Sequence, residues 1–331
     1  MNEYKLLLSM EVKKAILELA EKYKENPREF IEAMESLFVS EKKKGLLFLS
    51  LGNMLYGDSS PAQTASACWE HALKYFKNKD ISSIRSLKSK ARFEKTKIAF
   101  CYMNLGTVNY DTENYDKAIV YYEKSAGLFK ELGDKRNESI CYVNLGSVCI
   151  SSGSSGNFKK AIRYNENALK IFVEIKDIRA ESVCYGNLGV AYTNLRNFNK
   201  SIEYHKKSLK IGKDIGDRSG ESACYTNLGL AYEGLEDFKK AIEFHEKSLK
   251  IKKETGNNVK ESECYINLGN CEHCLGDFKK AVEFYLKAEK IFKKLKEYPH
   301  LEIVYKNMAN TYNEMKNPEK AEEYKRKADK L

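Results

Sequence analysis

CYMNLG at 101–106, CYVNLG at 141–146, CYGNLG at 184–189, CYTNLG at 224–229, CYINLG at 264–269 and VYKNMA at 304–309 are six copies of one helical phrase. The glycines set the ruler: Gly106, Gly146, Gly189, Gly229 and Gly269, then Ala309, fall at intervals of 40, 43, 40, 40 and 40 residues. The single slip of three residues coincides with Ser-Ser-Gly-Ser-Ser-Gly at 151–156, whose composition reads as a lengthened turn and not as a lost copy. Upstream, Leu51 and Gly52 followed by Ala65, Trp69 and Ala72 form a degenerate copy, which brings the count to seven. Units of this length cannot bury an apolar face alone, so they stack into a solenoid whose product is a long surface.

Each unit reads as helix, turn, helix, stop. Tyr185, Leu188, Gly189 and Tyr192 fall at i, i+3, i+4 and i+7, one face of a helix at about 100° per residue. In the second half, Ser201, Tyr204, Ser208 and Leu209 share a side, and the small slots recur as Ala241 and Ser248 and as Ala281 and Ala288, where two helices must approach closely. Gly133-Asp134, Lys176-Asp177, Gly216-Asp217 and Gly256-Asn257 end the second helices, glycine being the residue that best tolerates a left-handed C-cap.

The pattern resembles the tetratricopeptide repeat, whose aromatic-x-x-Leu-Gly-x-x-Tyr start and Ala-x-x-x-aromatic second helix are matched by Tyr225, Leu228, Gly229 and Tyr232 and by Ala241 and His245. It departs in its longer period and in replacing the closing proline by the Gly-Asp stop. Both departures, with Asn-Leu-Gly and Glu-Tyr-His, are similar to the long repeats of the LGN/Pins cell-polarity adaptors. The resemblance covers roughly residues 99–331 and implies an all-α, right-handed α-solenoid (superhelix). Its expected domains are an N-terminal helical cap at 1–40, a degenerate first repeat at 41–78, a basic insertion or extended helix at 79–97, and six repeats at 98–331. The cap rests on Val12, Ile16, Leu17 and Leu19 and on Phe30, Ile31, Met34 and Leu37, two amphipathic stretches around Asn26-Pro27 that would cover an unpartnered terminal face.

Composition agrees with a water-facing helical array: 31% charged residues, mean hydropathy −0.58 and only four prolines among 331 residues. No stretch reads as a membrane span, and the apolar run near the start is too short for a signal peptide. Nine cysteines recur with the repeat, which suits reduced thiols in the cytoplasm.

Function is sought on the side of each first helix opposite the tyrosine stripe. With Tyr185 at zero, residues two before, two after, five after and nine after lie at about 160°, 200°, 140° and 180°. In arrays of the resembled family this side lines the concave groove. One residue recurs there in all six copies: Asn104, Asn144, Asn187, Asn227, Asn267 and Asn307. A carboxamide offers both a donor and an acceptor, so a column of them pairs with the N–H and C=O of an extended peptide without reading its side chains. At about 0.5–1.5 kcal/mol net per bond, several such bonds with apolar neighbours hold a peptide at micromolar strength. The expected apolar neighbours are Phe100, Met103, Ile140, Val143, Val183, Val190 and Leu230, with Asn270 and Asn310 at the polar end. The competing reading is that these asparagines bond the preceding repeat and only hold the helices in register. A carboxylate clamp is disfavoured, since the stripe offers only Lys306.

These features point to a non-enzymatic adaptor that binds a partner protein's peptide or helical segment, with no cofactor, no small-molecule substrate and no metal. An alternative is nucleic-acid (RNA) binding through 77–97, where Lys77, Lys79, Arg85, Lys88, Lys90, Arg92, Lys95 and Lys97 stand against Asp80 and Glu94 in a chain of net charge +10. Another is a sensor or self-association array of a larger signalling protein. Cys271-Glu-His-Cys274 invites a zinc reading with Cys264, but His273 points away from the three thiols, and a structural site wants four ligands. His205 and His245 occupy the slot of Tyr122 and Tyr285 and read as packing residues, and no catalytic motif appears.

Overall fold

The computed structural model describes residues 10–37, 44–57, 62–78 and 88–331. Every regular element among them is an α-helix. The chain divides into two compact units, Met1–Ile175 and Lys176–Leu331. The first holds α1 (Met10–Lys22), α2 (Pro27–Leu37), α3 (Lys44–Gly57), α4 (Ala62–Asn78), α5 (Lys88–Asp111), α6 (Tyr115–Leu132), α7 (Lys135–Ser151) and α8 (Ser155–Glu174). The second holds α9 (Ile178–Asn194), α10 (Phe198–Asp214), α11 (Arg218–Gly234), α12 (Phe238–Glu254), α13 (Asn258–Cys274), α14 (Phe278–Leu295), α15 (Tyr298–Glu314) and α16 (Pro318–Ala328).

Each repeat is a hairpin closed over its glycine. The slot opposite Gly106 holds the Tyr122 ring, that opposite Gly189 the His205 ring, that opposite Gly229 the His245 ring and that opposite Gly269 the Tyr285 ring. A Cβ added at these glycines would lie 2.7, 2.5, 2.3 and 2.5 Å from the nearest ring atom. Gly52 does the same for Trp69, and Gly146 for the Asn165 carboxamide. The leucine before each glycine (Leu105, Leu145, Leu188, Leu228, Leu268) is fully buried, each contributing roughly 1.5–3 kcal/mol of transfer free energy.

Neighbouring hairpins are joined through the cysteine slot. The Cys141 thiol meets Ser125 Oγ at 3.3 Å, Cys224 meets Ser208 at 3.3 Å and Cys264 meets Ser248 at 3.6 Å, each serine lying on the preceding second helix. All nine cysteines are free thiols and all but Cys274 are buried. Burial pushes Cys101 and Cys184 up to about 12 and Cys141 up to about 11, so these thiols are packing groups and not nucleophiles.

The stops use more than glycine. Gly133, Gly216 and Gly256 take φ of 68°, 69° and 67°. The next residue then starts the following helix: Asp134, Asp217 and Asn257 accept from the backbone N–H of Asn137, Gly220 and Lys260. The same pair of moves turns the chain inside each repeat, where Arg196 and Glu236 adopt positive φ before the caps Asn197 and Asp237.

At the N-terminal side of the first unit, α1 and α2 supply Ile16, Ala20, Phe30, Ile31 and Met34 to the core that contains Phe48, Leu55, Trp69 and Phe76. Residues 1–9 and 38–40 of the expected cap, 41–43 and 58–61 of the expected first repeat, and 79–87 of the expected basic insertion, Lys79 and Arg85 among them, lie outside the described residues. Residues 88–97 form the N-terminal part of α5. Several of the segment's cations are engaged by the scaffold: Arg92 donates to Leu132 O (3.0 Å), Lys95 pairs with Glu131 (2.9 Å), Lys77 sits over the Tyr102 ring and the buried Lys97 lies over Phe93 and Phe76.

Candidate functional site

The six repeated asparagines lie on first helices and are all half-buried, but they divide by what their side chains touch. In the first unit, Asn104 Nδ2 donates to Asn53 Oδ1 (2.8 Å), which also accepts from Trp69 Nε1 (2.9 Å). In the second unit, Asn307 Nδ2 donates to Asn270 Oδ1 (3.0 Å), which also accepts the Tyr285 hydroxyl (2.8 Å). In both cases the acceptor is the residue that follows the glycine of the preceding repeat, and in both cases that residue is asparagine. The register-holding role is therefore realised at these two levels.

At the levels of Asn227 and Asn267 the side-chain acceptor is missing. The position after Gly189 is Val190 and that after Gly229 is Leu230, neither of which offers a side-chain oxygen to Asn227 or Asn267. The carboxamides of Asn227, Asn267 and, in the first unit, Asn144 form no hydrogen bond with another described residue. Asn144 instead lines a cleft of about 340 Å³ with Thr107, Tyr110, Asp111, Tyr122 and Ser147. The cleft's polar wall is fixed by the Tyr122 hydroxyl on Thr107 Oγ1 (2.9 Å) and the Tyr56 hydroxyl on Asp111. Burial raises the Asp111 carboxyl above the usual aspartate value.

The expected apolar residues also divide. Phe100 packs edge-on against Phe129 with ring centroids 5.1 Å apart, and Met103 lies against the same cluster, so both belong partly to the core of the first unit. Ile140, Val143 and Val190 are half-buried. Val183, at 49% exposure, and Leu230, at 38%, project outward from the second unit and are joined there by Ile303 at 49%. Asn310 lines a shallow depression with Lys306 and Asn313 beside α16, and Lys306 is paired with Glu302 (2.6 Å), so its charge is already answered.

Of the thiols and imidazole weighed for zinc, Cys264 faces Ser248, and His273 Nδ1 bonds Thr311 Oγ1 (2.9 Å). They do not converge. His205 is wholly buried with neither ring nitrogen bonded among the described residues, and burial pushes it down to about 4. Among the described residues no helix is long and apolar enough to cross a membrane.

A family model for the tetratricopeptide repeat matches residues 98–172, 180–254 and 261–328, about two thirds of the chain. No curated protein matches the sequence. Among solved structures, BtubC (BKLC) from P. vanneervenii is similar over 69% of this chain and 92% of its own, at 22% identity and a TM-score of 0.55. The apo form of RapI aligns over 86% of this chain and 96% of its own, at 14% identity and a TM-score of 0.64. A Rap protein complexed with Competence and Sporulation Factor aligns over 96% of both chains, at 15% identity and a TM-score of 0.56. These likenesses establish the fold, an all-α solenoid.

Proposed function

The chain belongs to the tetratricopeptide repeat family, and from that premise we propose that it is an adaptor that captures an extended peptide segment of a partner protein along its first helices. The observation that carries this reading is the split among the asparagines. A half-buried amide with no partner in its own protein is a group for which a native structure normally provides one. Asn227 and Asn267 supply two such groups on successive repeats, each with a free donor and acceptor, and Leu230 on α11 and Ile303 on α15 stand exposed on the first helices to either side of α13. A peptide main chain presents the matching N–H and C=O groups, and its apolar side chains would cover the exposed Leu and Ile. Support also comes from the Rap protein complexed with Competence and Sporulation Factor, an instance of this fold with a bound partner.

The test uses a peptide selected on the wild-type protein from a random peptide library and measured by fluorescence anisotropy. Asn227→Ala with Asn267→Ala removes two to four hydrogen bonds of about 0.5–1.5 kcal/mol each, a loss of roughly tenfold or more in affinity. Helicity and melting are expected to stay at wild-type values, because neither side chain bonds another described residue. Asn307→Ala should do the reverse, lowering stability through the lost Asn270 contact. Unaltered peptide affinity in the double variant would refute the ladder.

A further inference from the structure

Three donor atoms from three successive helices converge inside the second unit. His245 Nε2, on α12, lies 2.6 Å from Glu233 Oε1, on α11, and the Cys271 sulfur, on α13, lies 3.4 Å from that same oxygen. All three ligand atoms fall within 4.8 Å of one another. His245 and Cys271 have no solvent exposure, while the Glu233 side chain retains 24%, so the cluster is walled by protein and opens to water through the carboxylate.

The cluster is a departure from the repeat. Glu233 stands four residues after its glycine, His245 sixteen after it and Cys271 two after the next glycine. One level earlier those positions hold Thr193, His205 and Ala231, and one level later His273, Tyr285 and Thr311. Packing alone is satisfied by the sister sets. Only at this level do imidazole, thiol and carboxylate coincide, and that is the mixed donor set zinc accepts.

We propose that Glu233, His245 and Cys271 form a zinc site, with solvent in the fourth position. Zinc bonds of about 2.0–2.3 Å at tetrahedral angles set donor atoms roughly 3.4–3.6 Å apart. The sulfur–carboxylate separation already matches, and the histidine–carboxylate contact opens by less than 1 Å when the ion replaces the hydrogen bond between them. Cys271 gives its proton to solvent on binding, so the divalent charge is balanced by one thiolate and one carboxylate, with the imidazole neutral. His245 Nδ1 has no hydrogen-bond partner among the described residues, so moving the ring proton there forfeits no bond other than the one to Glu233. The ion would tie α11, α12 and α13 together, fixing two adjacent repeats of the second unit. Cys274, exposed and one turn beyond Cys271, is the natural internal control.

The full chain, freed of metal by chelator and dialysis, is titrated with cobalt(II). One equivalent is expected to bind with a thiolate-to-cobalt charge-transfer band, and zinc should displace it and raise the melting temperature. Cys271→Ser is expected to abolish the band and the zinc-dependent rise. His245→Tyr, which places in the slot the residue that sister repeats carry, should weaken binding by at least roughly tenfold while leaving the metal-free fold intact, and Glu233→Gln should weaken it without altering that fold. Cys274→Ser should bind as the wild type does. Absence of a one-equivalent band, or a band that survives Cys271→Ser, or one that disappears with Cys274→Ser, would overturn the assignment.

Discussion

Two glycines three residues apart in α9 offer a sharp test of how the hairpins close. A methyl group added at Gly189 would sit 2.5, 2.6 and 2.7 Å from Cε1, Nε2 and Nδ1 of His205, a ring that is fully buried and cannot swing aside. A methyl at Gly186 meets only Ser208 Oγ, at an ordinary 3.7 Å. Gly→Ala raises helix propensity by about 1 kcal/mol at either site. The difference between the two variants therefore isolates the clash, worth about 1–3 kcal/mol for overpacking a closed core. Gly186→Ala should stabilise the protein by about 0.5–1 kcal/mol, whereas Gly189→Ala should fall below wild type. In urea unfolding followed by far-ultraviolet circular dichroism, the two midpoints should separate by about 1 M. Ala309 supports the reasoning from within the chain, since the position facing it is Lys325 and not a ring. Equal midpoints for the two variants would mean that the His205 ring does not fill the slot against Gly189.

His205 also predicts a pH dependence. Its folded value of about 4 lies below the ordinary 6.5, so the unfolded chain takes up a proton first as the pH falls. Stability from this residue is flat above about pH 6.5, declines between 6.5 and 4 by about 3 kcal/mol in total and is flat again below; urea midpoints for wild type and His205→Tyr should diverge over that interval and not at pH 7–8. Glu236 holds a φ of 59° in the turn between α11 and α12. Glu236→Gly is expected to raise the melting temperature, by relief of left-handed strain worth about 1 kcal/mol, and a lowered value would show that the turn is not strained.

Much of this architecture was readable from one chain because the repeat is printed six times. The period fixes the hairpins, and the common slot of Tyr122, His205, His245 and Tyr285 marks them as packing residues, although nothing in the sequence pairs that slot with the repeat's glycine. The turns were only half legible. Glycine announces a left-handed residue at 133, 216 and 256, but Arg196 and Glu236 adopt the same conformation without a glycine to mark it, because the cap that follows compensates. Asp134 and Asp217 read as parts of a stop, whereas their carboxylates work as starts for the next helix.

The site was less legible because six identical asparagines are not in identical surroundings. What separates Asn104 and Asn307 from Asn227 and Asn267 is the residue after the preceding glycine, a position that the helical wheel of a single repeat does not bring beside them. The Glu233–His245–Cys271 cluster was missed for a related reason. Ligand spacing along one helix points to Cys271 and Cys274, where His273 faces away. The imidazole that does converge comes from the second helix of the repeat before.

The column that follows the glycines has a consequence for how such a protein changes over time. Asparagine there retires the amide above it into the framework, and valine or leucine leaves that amide on offer. On the proposed reading the number of open rungs is set by this column, so a lineage can lengthen or shorten its grip by single substitutions after the glycines, with every repeated asparagine left in place.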